Sequence, residues 1–221
     1  MKHIVKIKAI EHITPDVLRI ITEKPNQYEF EPGQATDIAI NMVGWEDELR
    51  AFTFTSLPTD NDLEFTIKTY PSHNGVTNRL LYLKKDDELI LHDVFGDISY
   101  KGEGLFIAGG AGITPFLSIL KQLHTDNRLG KNKLIFANKT KSDIIHEQEF
   151  NKLLGENFIN VLSAEELTGY ETGYITEEMI NANMPASKNI YLCGPPQMME
   201  AVEKHLASLN IDESYIIKEG F

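Results

Sequence analysis

Hydrophobic and polar residues alternate along the first part of the chain, in short runs separated by turn-forming sequences. The runs include IVKIKAI, VLRIITE, TDIAINM, AFTFTS, LEFTIKTY and ELILHDV, and the turns include EKPN, EPGQ, LPTDND and KKDDE. A period of two indicates strands that bury one face. Six or seven such strands in about a hundred residues favour an antiparallel barrel or sandwich, interrupted by one helix over residues 77–85.

The pattern changes after Lys101. Four apolar runs, GLFIAG, KLIFAN, INVLSA and NIYLCG, alternate with the amphipathic segments ITPFLSILKQLH, SDIIHEQEFNKLL and PQMMEAVEKHLASL. Strands that alternate with helices are typical of a parallel sheet covered on both faces. The sequence therefore predicts two domains, an antiparallel β-barrel at residues 1–100 followed by an α/β Rossmann-like domain at residues 101–221.

Composition narrows the choice of partner and location. The 221 residues include 21 basic and 33 acidic side chains, a net charge of −12, and a field of that sign repels nucleic acid and anionic membranes. The single cysteine, Cys193, excludes an internal disulfide and a four-thiolate iron–sulfur cluster. No signal peptide or membrane-spanning run is recognisable. We therefore expect a soluble, cytoplasmic monomer that neither binds nucleic acid nor inserts into a membrane.

The run LFIAGGAGITPFLSIL, residues 105–120, is apolar yet contains three glycines and a proline. It indicates a buried strand, a tight turn from Gly109 to Thr114, and a helix with Pro115 in its first turn. N–H groups at a helix start can bind an anion, and glycine lacks the Cβ that would keep a phosphate away. Packing alone would also explain the glycines. The run departs from the G-x-G-x-x-G motif, because position 115 is proline where the motif has glycine. The position after the first strand of an α/β domain favours a dinucleotide site.

A second glycine turn, YLCGPPQMM, follows the last core strand and contains Cys193, Gly194 and Pro195. A strand end stopped by prolines is the simpler interpretation of this turn alone. Both turns, however, follow strands of one parallel sheet, whose carboxyl ends form a crevice. We therefore expect the two turns to face the same ligand.

The barrel half contains two further candidate segments. In RAFTFTS, Arg50 and Phe52 share one face of a strand because side chains alternate, and the hydroxyl of Thr53 can donate to a ring nitrogen. A guanidinium suits a pyrophosphate and a phenyl ring suits a planar heterocycle, although an edge strand with a solvated arginine would look the same. In NGVTNRLL, residues 75–77 lead into the short helix and offer a second phosphate-sized helix start.

Four motifs, in this order along nearly the whole chain, resemble those of the ferredoxin–NADP reductase superfamily. They are RAFT at 50–53, GVT at 75–77, GGAGITP at 109–115 and CGPP at 193–196. LIFANKTKSDIIHEQEF and CGPPQM are most similar to its NADH–cytochrome b5 reductase-like and flavodoxin reductase-like branches. The resemblance implies a barrel that binds FAD, or less commonly FMN, and a domain that binds NADH or NADPH. It also implies hydride transfer from the nicotinamide to the flavin, after which electrons leave singly.

The resemblance implies a role for each motif residue. Arg50 would hold the flavin pyrophosphate, Phe52 would lie against the flavin, and Thr53 would reach its N5 atom. The implied catalytic residues are Thr53, Cys193, Glu219 and Phe221. The implied cofactor-binding residues are Arg50, Phe52, Thr53, Thr69, Gly75, Val76, Thr77, Gly109, Gly110, Gly112, Thr114, Pro115, Asp143, Cys193, Gly194 and Pro195.

Some of these roles compete with simpler interpretations. Cys193 could be a small buried strand residue, and Phe221 could plug the core from a frayed last strand. We assign no metal site, because His146, Glu147 and Glu149 do not present three ligands on one helical face.

The nucleotide preference depends on the segment after the second strand of the α/β domain. An acid there accepts a hydrogen bond from the ribose 2′-OH, so Asp143 favours NADH. Two alternatives stay open: Ser142 or Asp143 could be the N-cap of the following helix, and Lys139 with Lys141 could accommodate a 2′-phosphate.

The electron acceptor must be a separate protein, because the chain has neither the length nor the cysteines for a fused cluster domain. We expect a small redox protein such as a flavodoxin, ferredoxin or cytochrome. An acidic partner would require a basic face, for which the candidates are Lys68, Arg79, Lys84 and Lys85. The reductase component of an oxygenase system, or an electron-conduit or regulatory subunit of a larger complex, is the alternative.

Overall fold

A computed structural model of the chain describes residues 2–219. Six antiparallel strands form the first sheet, in the order β4-β3-β6-β1-β2-β5. They are β1 His3–Thr14, β2 Val17–Glu23, β3 Ala35–Ile40, β4 Arg50–Thr53, β5 Asp62–Lys68 and β6 Glu88–Phe95. A bridge between Phe54 and Phe65 joins the two edge strands. The sheet therefore closes into the antiparallel barrel that the alternating pattern predicts.

Aromatic side chains fill the interior of the barrel. Phe54 and Phe65 are fully buried, with ring centroids 5.3 Å apart, and Phe30 stacks on Phe54 at 4.1 Å. The hydroxyl of Tyr28 donates to the carbonyl of His92 at 2.6 Å, which satisfies the polar end of another buried ring. These contacts hold β4 and the segment after it in a fixed position.

The helix expected over residues 77–85 is shorter than the pattern predicts. Helix α1 spans Val76–Arg79, and a 3₁₀ turn continues it over Leu80–Tyr82. The backbone becomes extended at Leu83, whose side chain packs into the barrel core together with Val76 and Leu80. The segment thus packs against the barrel core and then leads into β6.

Six parallel strands form the second sheet, in the order β10-β9-β8-β7-β11-β12. They are β7 Gly104–Gly109, β8 Lys133–Asn138, β9 Phe158–Leu162, β10 Glu171–Thr172, β11 Asn189–Cys193 and β12 Ile216–Lys218. The helices are α2 Thr114–Thr125, α3 Glu147–Leu154, α4 Glu177–Ala182 and α5 Pro196–Ser208. The two-domain fold class is thereby confirmed, while the division at residue 100 stays a prediction.

Strand order positions the site. Strands β8, β9 and β10 are added on one side of β7, whereas β11 and β12 lie on its other side, so the order of strand addition reverses between β7 and β11. Ligands of open α/β sheets bind at such a switch point, outside the carboxyl ends of the strands. Both glycine turns follow these two strands.

The prediction of a helix over residues 142–154 is wrong for its first part. Asp143 ends a 3₁₀ turn, and its carboxylate accepts hydrogen bonds from the N–H and hydroxyl of Thr140, at 2.9 and 2.8 Å. Helix α3 begins only at Glu147, and its N-cap is His146, in a left-handed conformation with φ of 54°. The expected N-cap role of Ser142 or Asp143 for this helix is therefore wrong as well.

Within residues 2–219, no helix combines the length and the apolar composition that crossing a lipid bilayer requires.

Candidate functional site

The two glycine turns touch each other at the carboxyl ends of β7 and β11. A Cβ on Gly112 would lie 2.3 Å from the carbonyl oxygen of Cys193, and a Cβ on Gly194 would lie 3.0 Å from the nitrogen of Gly109. Gly109 is equally confined, since its Cβ would lie 2.5 Å from the sulfur of Met198. These three glycines allow the turns to pack closely, which is the role that packing alone would give them. Their contact with a cofactor stays a prediction.

Gly110 differs from its neighbours. Its φ is +51°, which L-residues with a side chain rarely adopt, and no heavy atom lies within 4 Å of its Cβ position. The hydroxyl of Thr114 turns back to the carbonyl of Ala111 at 3.1 Å, and Pro115 lies in the first turn of α2, as predicted. The turn is therefore open at Gly110 and fixed on either side of it.

On the barrel side, β4 presents the predicted flavin residues. Arg50 is exposed, its guanidinium reaches only the carbonyl of Leu49, and it has no carboxylate partner within residues 2–219. Phe52 is half-buried against the barrel core. The hydroxyl of Thr53 likewise lacks a hydrogen-bond partner in the described part of the chain. Two donors are thus left available for a ligand.

The loop before α1 provides a second open segment. Gly75 is the N-cap of α1, and no heavy atom lies within 4 Å of its Cβ position. Val76 is buried and Thr77 half-buried. Thr69 is different, because its N–H and its hydroxyl both donate to the carbonyl of Asp16, at 2.7 and 2.9 Å. The hydroxyl of Thr69 thus binds the turn between β1 and β2. A cofactor role for Thr69 stays a prediction.

Glu219 lies at the end of the barrel that carries Thr53. Ala35 pairs with Thr53 on one side and with Phe95 on the other. One carboxylate oxygen of Glu219 lies 3.1 Å from the Cβ position of Gly96, the residue after Phe95. The same oxygen accepts a hydrogen bond from the N–H of Asp97 at 3.3 Å. The last described residue of the chain therefore contacts the residues that follow barrel strand β6.

The electrostatics of this junction raise the pKa of two groups, the carboxyl of Glu219 and the thiol of Cys193. Burial raises the pKa of Glu219 above its usual 4.5, although the N–H of Asp97 opposes the shift. Burial, and then the negative charge of Glu219, raise the pKa of the Cys193 thiol to about 12. Cys193 is therefore a neutral thiol at physiological pH, within electrostatic reach of Glu219. Phe221, the fourth residue of the expected catalytic set, lies outside the described residues.

Asp143 is engaged within its own turn. Its carboxylate closes the capping box with Thr140, while the N–H of Lys141 donates to Glu165 at 2.7 Å. The ammonium of Lys141 lies 5.4 Å from the ring centre of Tyr170. The structure thus brings Asp143 and Lys141 together after β8, but each already has a partner in the chain.

Sequence reasoning missed the residues that join the two domains. The N–H of Gly33 donates to the buried hydroxyl of Ser118 at 3.0 Å, and the ammonium of Lys121 donates to the carbonyl of Thr55 at 3.3 Å. These partners are 85 and 66 residues apart in sequence, and no local pattern connects them.

Two family models account for nearly all of the chain. Residues 2–101 match an FAD-binding domain, and residues 106–204 match an oxidoreductase NAD-binding domain. The chain belongs to the FAD- and NAD-binding oxidoreductases. The resemblance drawn from the four sequence motifs is therefore confirmed, together with the expectation of FAD and a nicotinamide nucleotide as cofactors.

Curated relatives of this oxidoreductase include members of two groups of reductases. NADH-cytochrome b5 reductase 2 of Mycosarcoma maydis is 28% identical over 89% of the chain, and the alignment covers 62% of that relative. The reductase component of propane 2-monooxygenase from Mycolicibacterium smegmatis is 28% identical over 98% of the chain and is covered to 66%. The chain spans a little under two thirds of the length of these relatives.

Solved structures support the same fold. A ferredoxin NADP+ reductase from Neisseria gonorrhoeae, crystallised with FAD and NADP, superposes with a TM-score of 0.85 at 20% sequence identity. The superposition covers 100% of this oxidoreductase and 99% of that chain. At this identity the likeness establishes the fold.

The donors left open fit the two cofactors. Within residues 2–219 the guanidinium of Arg50 has no carboxylate partner, the hydroxyl of Thr53 has no hydrogen-bond partner, and the Cβ position of Gly75 faces open space. A dinucleotide offers pyrophosphate and ring-nitrogen acceptors to such donors. Gly110 provides a similar open turn in the α/β domain. Donors that the protein leaves unpaired can form hydrogen bonds to an anionic cofactor.

Proposed function

We propose that this oxidoreductase transfers hydride from NADH to FAD and passes single electrons to a separate redox protein. The observation that carries the proposal is the junction described above. There the contacting glycine turns of the NAD-binding domain, with Cys193, meet Glu219 at the barrel end that holds Thr53. Bound FAD supplies the conversion of a two-electron donor into single electrons.

The proposed roles of the barrel residues follow from the donors they offer. Arg50 binds the flavin pyrophosphate through its guanidinium, and the N–H groups of Val76 and Thr77 bind the same phosphates. Phe52 supports the flavin ring, and Thr53 donates a hydrogen bond at N5. The protein thus contributes alignment, and bringing the reacting atoms to about 3–3.5 Å is its main task.

Glu219 and Cys193 have different proposed roles. The raised pKa of Glu219 allows its carboxyl to hold a proton near the flavin at a pH where an ordinary glutamate is ionised. Cys193, with a pKa of about 12, stays a neutral thiol and packs against the nicotinamide. Glu219 is therefore the group that can move a proton, and Cys193 shapes the site.

We propose NADH as the donor, because Asp143 places a carboxylate where the adenine ribose is expected. Asp143→Thr should lower the ratio of kcat/KM for NADH over NADPH. The control is Thr140→Val, which removes a hydroxyl contact to Asp143 and keeps the carboxylate. A ratio that is unchanged in Asp143→Thr, or that changes equally in both variants, would contradict the assignment.

The acceptor is proposed to be a small redox protein, as the names of the two groups of relatives suggest. Of the basic residues considered for docking, Lys68 pairs with Asp16 at 2.6 Å, and Arg79 packs against Met42 and Tyr82. The test is to mix the FAD-loaded protein with NADH and a cytochrome, a ferredoxin or a flavodoxin, and to follow reduction of each acceptor. Failure to reduce any of the three, despite reduction of the FAD, would favour an oxygenase component or an electron-conduit subunit. Cytoplasmic localisation and a monomeric state stay predictions.

A further inference from the structure

Helix α2 is fixed to the barrel at two positions one turn apart. The buried hydroxyl of Ser118 accepts the N–H of Gly33 at 3.0 Å, and Lys121 reaches the carbonyl of Thr55 at 3.3 Å. Residues three apart share one face of a helix, so both contacts lie on the side of α2 that faces the barrel. The helix that begins at the first glycine turn is therefore held directly by the other domain.

Lys121 is the charged member of this pair of contacts. Besides the carbonyl of Thr55, its ammonium lies 3.6 Å from a carboxylate oxygen of Glu64, in the barrel, and 3.4 Å from one of Glu149, in α3. The side chains of Lys121 and Glu64 are only 21% and 12% exposed. One ammonium thus bridges a barrel strand and a helix of the NAD-binding domain away from most solvent screening.

Both carboxylates are themselves held in place. Arg19 donates from Nε and Nη2 to one oxygen of Glu64, at 2.7 and 2.6 Å, and the hydroxyl of Thr55 donates to the other at 3.1 Å. Glu149 accepts from His146 at 3.2 Å. Burial opposes ionisation of Glu149, but the hydrogen bond from His146 and the charge of Lys121 outweigh it and lower the pKa. Lys121 therefore contacts two carboxylates whose positions are themselves fixed by other residues.

The contacts of Lys121 lie close in sequence to the residues proposed to bind the two cofactors. Thr55 lies two residues after Thr53, and Thr114, at the first glycine turn, begins the helix that carries Lys121. We propose that Lys121 is a positioning residue for hydride transfer, which fixes the separation between the Thr53 strand and the nicotinamide-facing turn. The inference rests on the proposed function, because it assigns Lys121 to the alignment of the two cofactors.

A lysine that only stabilised the domain interface would behave differently on substitution. Its loss would lower the unfolding midpoint without selectively slowing the step that needs both domains aligned. A positioning residue affects the rate of flavin reduction by NADH more than it affects NADH binding, because small displacements change reaction rates strongly.

The experiment compares FAD-loaded wild type, Lys121→Met and Lys121→Arg in anaerobic stopped flow with NADH. For Lys121→Met we expect the limiting rate of flavin reduction to fall about 10- to 100-fold. The Kd for NADH, the FAD content and the rate of reduction by dithionite, which needs no nucleotide, should change less than about twofold. Lys121→Arg keeps the charge and should recover most of the rate. Lys152→Met is the matched control, since Lys152 is an exposed lysine of α3 without an ion pair in the described part of the chain.

Each outcome decides the inference. The inference is overturned if folded, FAD-loaded Lys121→Met has the wild-type limiting rate of flavin reduction by NADH. It is also overturned if the rates of reduction by dithionite and by NADH fall by the same factor. Should Lys121→Met not fold, Glu149→Gln replaces it, because it keeps Lys121 and Glu64 and removes one anchor; a smaller fall in the limiting rate supports the proposal and an unchanged rate overturns it. Wild type that neither NADH nor NADPH reduces would overturn the proposed function as well, which distinguishes the two failures.

Discussion

Replacing Gly112 by alanine tests the contact between the two glycine turns. The added Cβ would lie 2.3 Å from the carbonyl oxygen of Cys193, 2.5 Å from its carbonyl carbon and 2.6 Å from the nitrogen of Gly194. All three atoms belong to the backbone, so no side-chain rotation relieves the clash. The turns must separate by about 1 Å to reach normal contact distances.

Two effects of Gly112→Ala follow from that displacement. Overpacking of a tight site costs about 1–3 kcal/mol, so the free energy of unfolding in urea should fall by that amount. A shift of about 1 Å at a reacting centre costs on the order of 100-fold in rate, so flavin reduction by NADH should slow by up to that factor. The assays are urea unfolding followed by circular dichroism and anaerobic stopped flow of the FAD-loaded protein.

The control for the unfolding assay is Gly75→Ala. The Cβ position of Gly75 has no heavy atom within 4 Å, and its φ is −122°, which alanine adopts readily. We expect a change in unfolding free energy within about 0.5 kcal/mol. A wild-type unfolding free energy together with a wild-type rate of flavin reduction in Gly112→Ala would show that the two turns are not in tight contact.

Three further predictions concern the barrel and the junction. Because burial keeps the Cys193 thiol protonated, iodoacetamide should label it slowly at pH 8 in the native protein and rapidly in urea, and equal rates would contradict the raised pKa. Since the pKa of Glu219 is higher in the folded than in the unfolded chain, its contribution to stability should rise as pH falls from above the folded pKa toward 4.5. Glu219→Gln should flatten that part of the stability profile, and an unchanged slope would count against it. Arg50→Met should weaken FAD binding about tenfold or more with little change in unfolding of the apoprotein, as expected for loss of a charge-assisted contact; equal FAD affinity would remove Arg50 from the site.

Much of the fold follows from local patterns in the sequence. The runs GLFIAG and KLIFAN coincide with β7 and β8, because parallel strands that are buried on both faces are nearly continuous apolar runs. The first glycine turn and the start of α2 were predictable because Pro115 suits only the first turn of a helix.

Other features depend on contacts that sequence patterns do not contain. The start of α3 was misplaced because the capping box of Thr140 and Asp143 closes a separate turn, and His146 then takes a left-handed conformation. The sequence predicts Gly109 and Gly112 as cofactor-binding glycines, whereas the structure shows that they make room for the second turn and its helix. The bridge from Lys121 to Glu64 and Glu149 is invisible in sequence because it joins three elements brought together only by folding.

The central claim, that one FAD bound by the barrel accepts hydride from a nicotinamide bound by the α/β domain, has a direct measurement. The purified full chain is saturated with FAD, freed of excess cofactor, and titrated anaerobically with NADH while its visible absorbance is recorded. We expect one FAD per chain and loss of the flavin absorbance at about one equivalent of NADH. A chain that retains neither FAD nor FMN, or one whose bound FAD keeps its absorbance with NADH and NADPH alike, would contradict it.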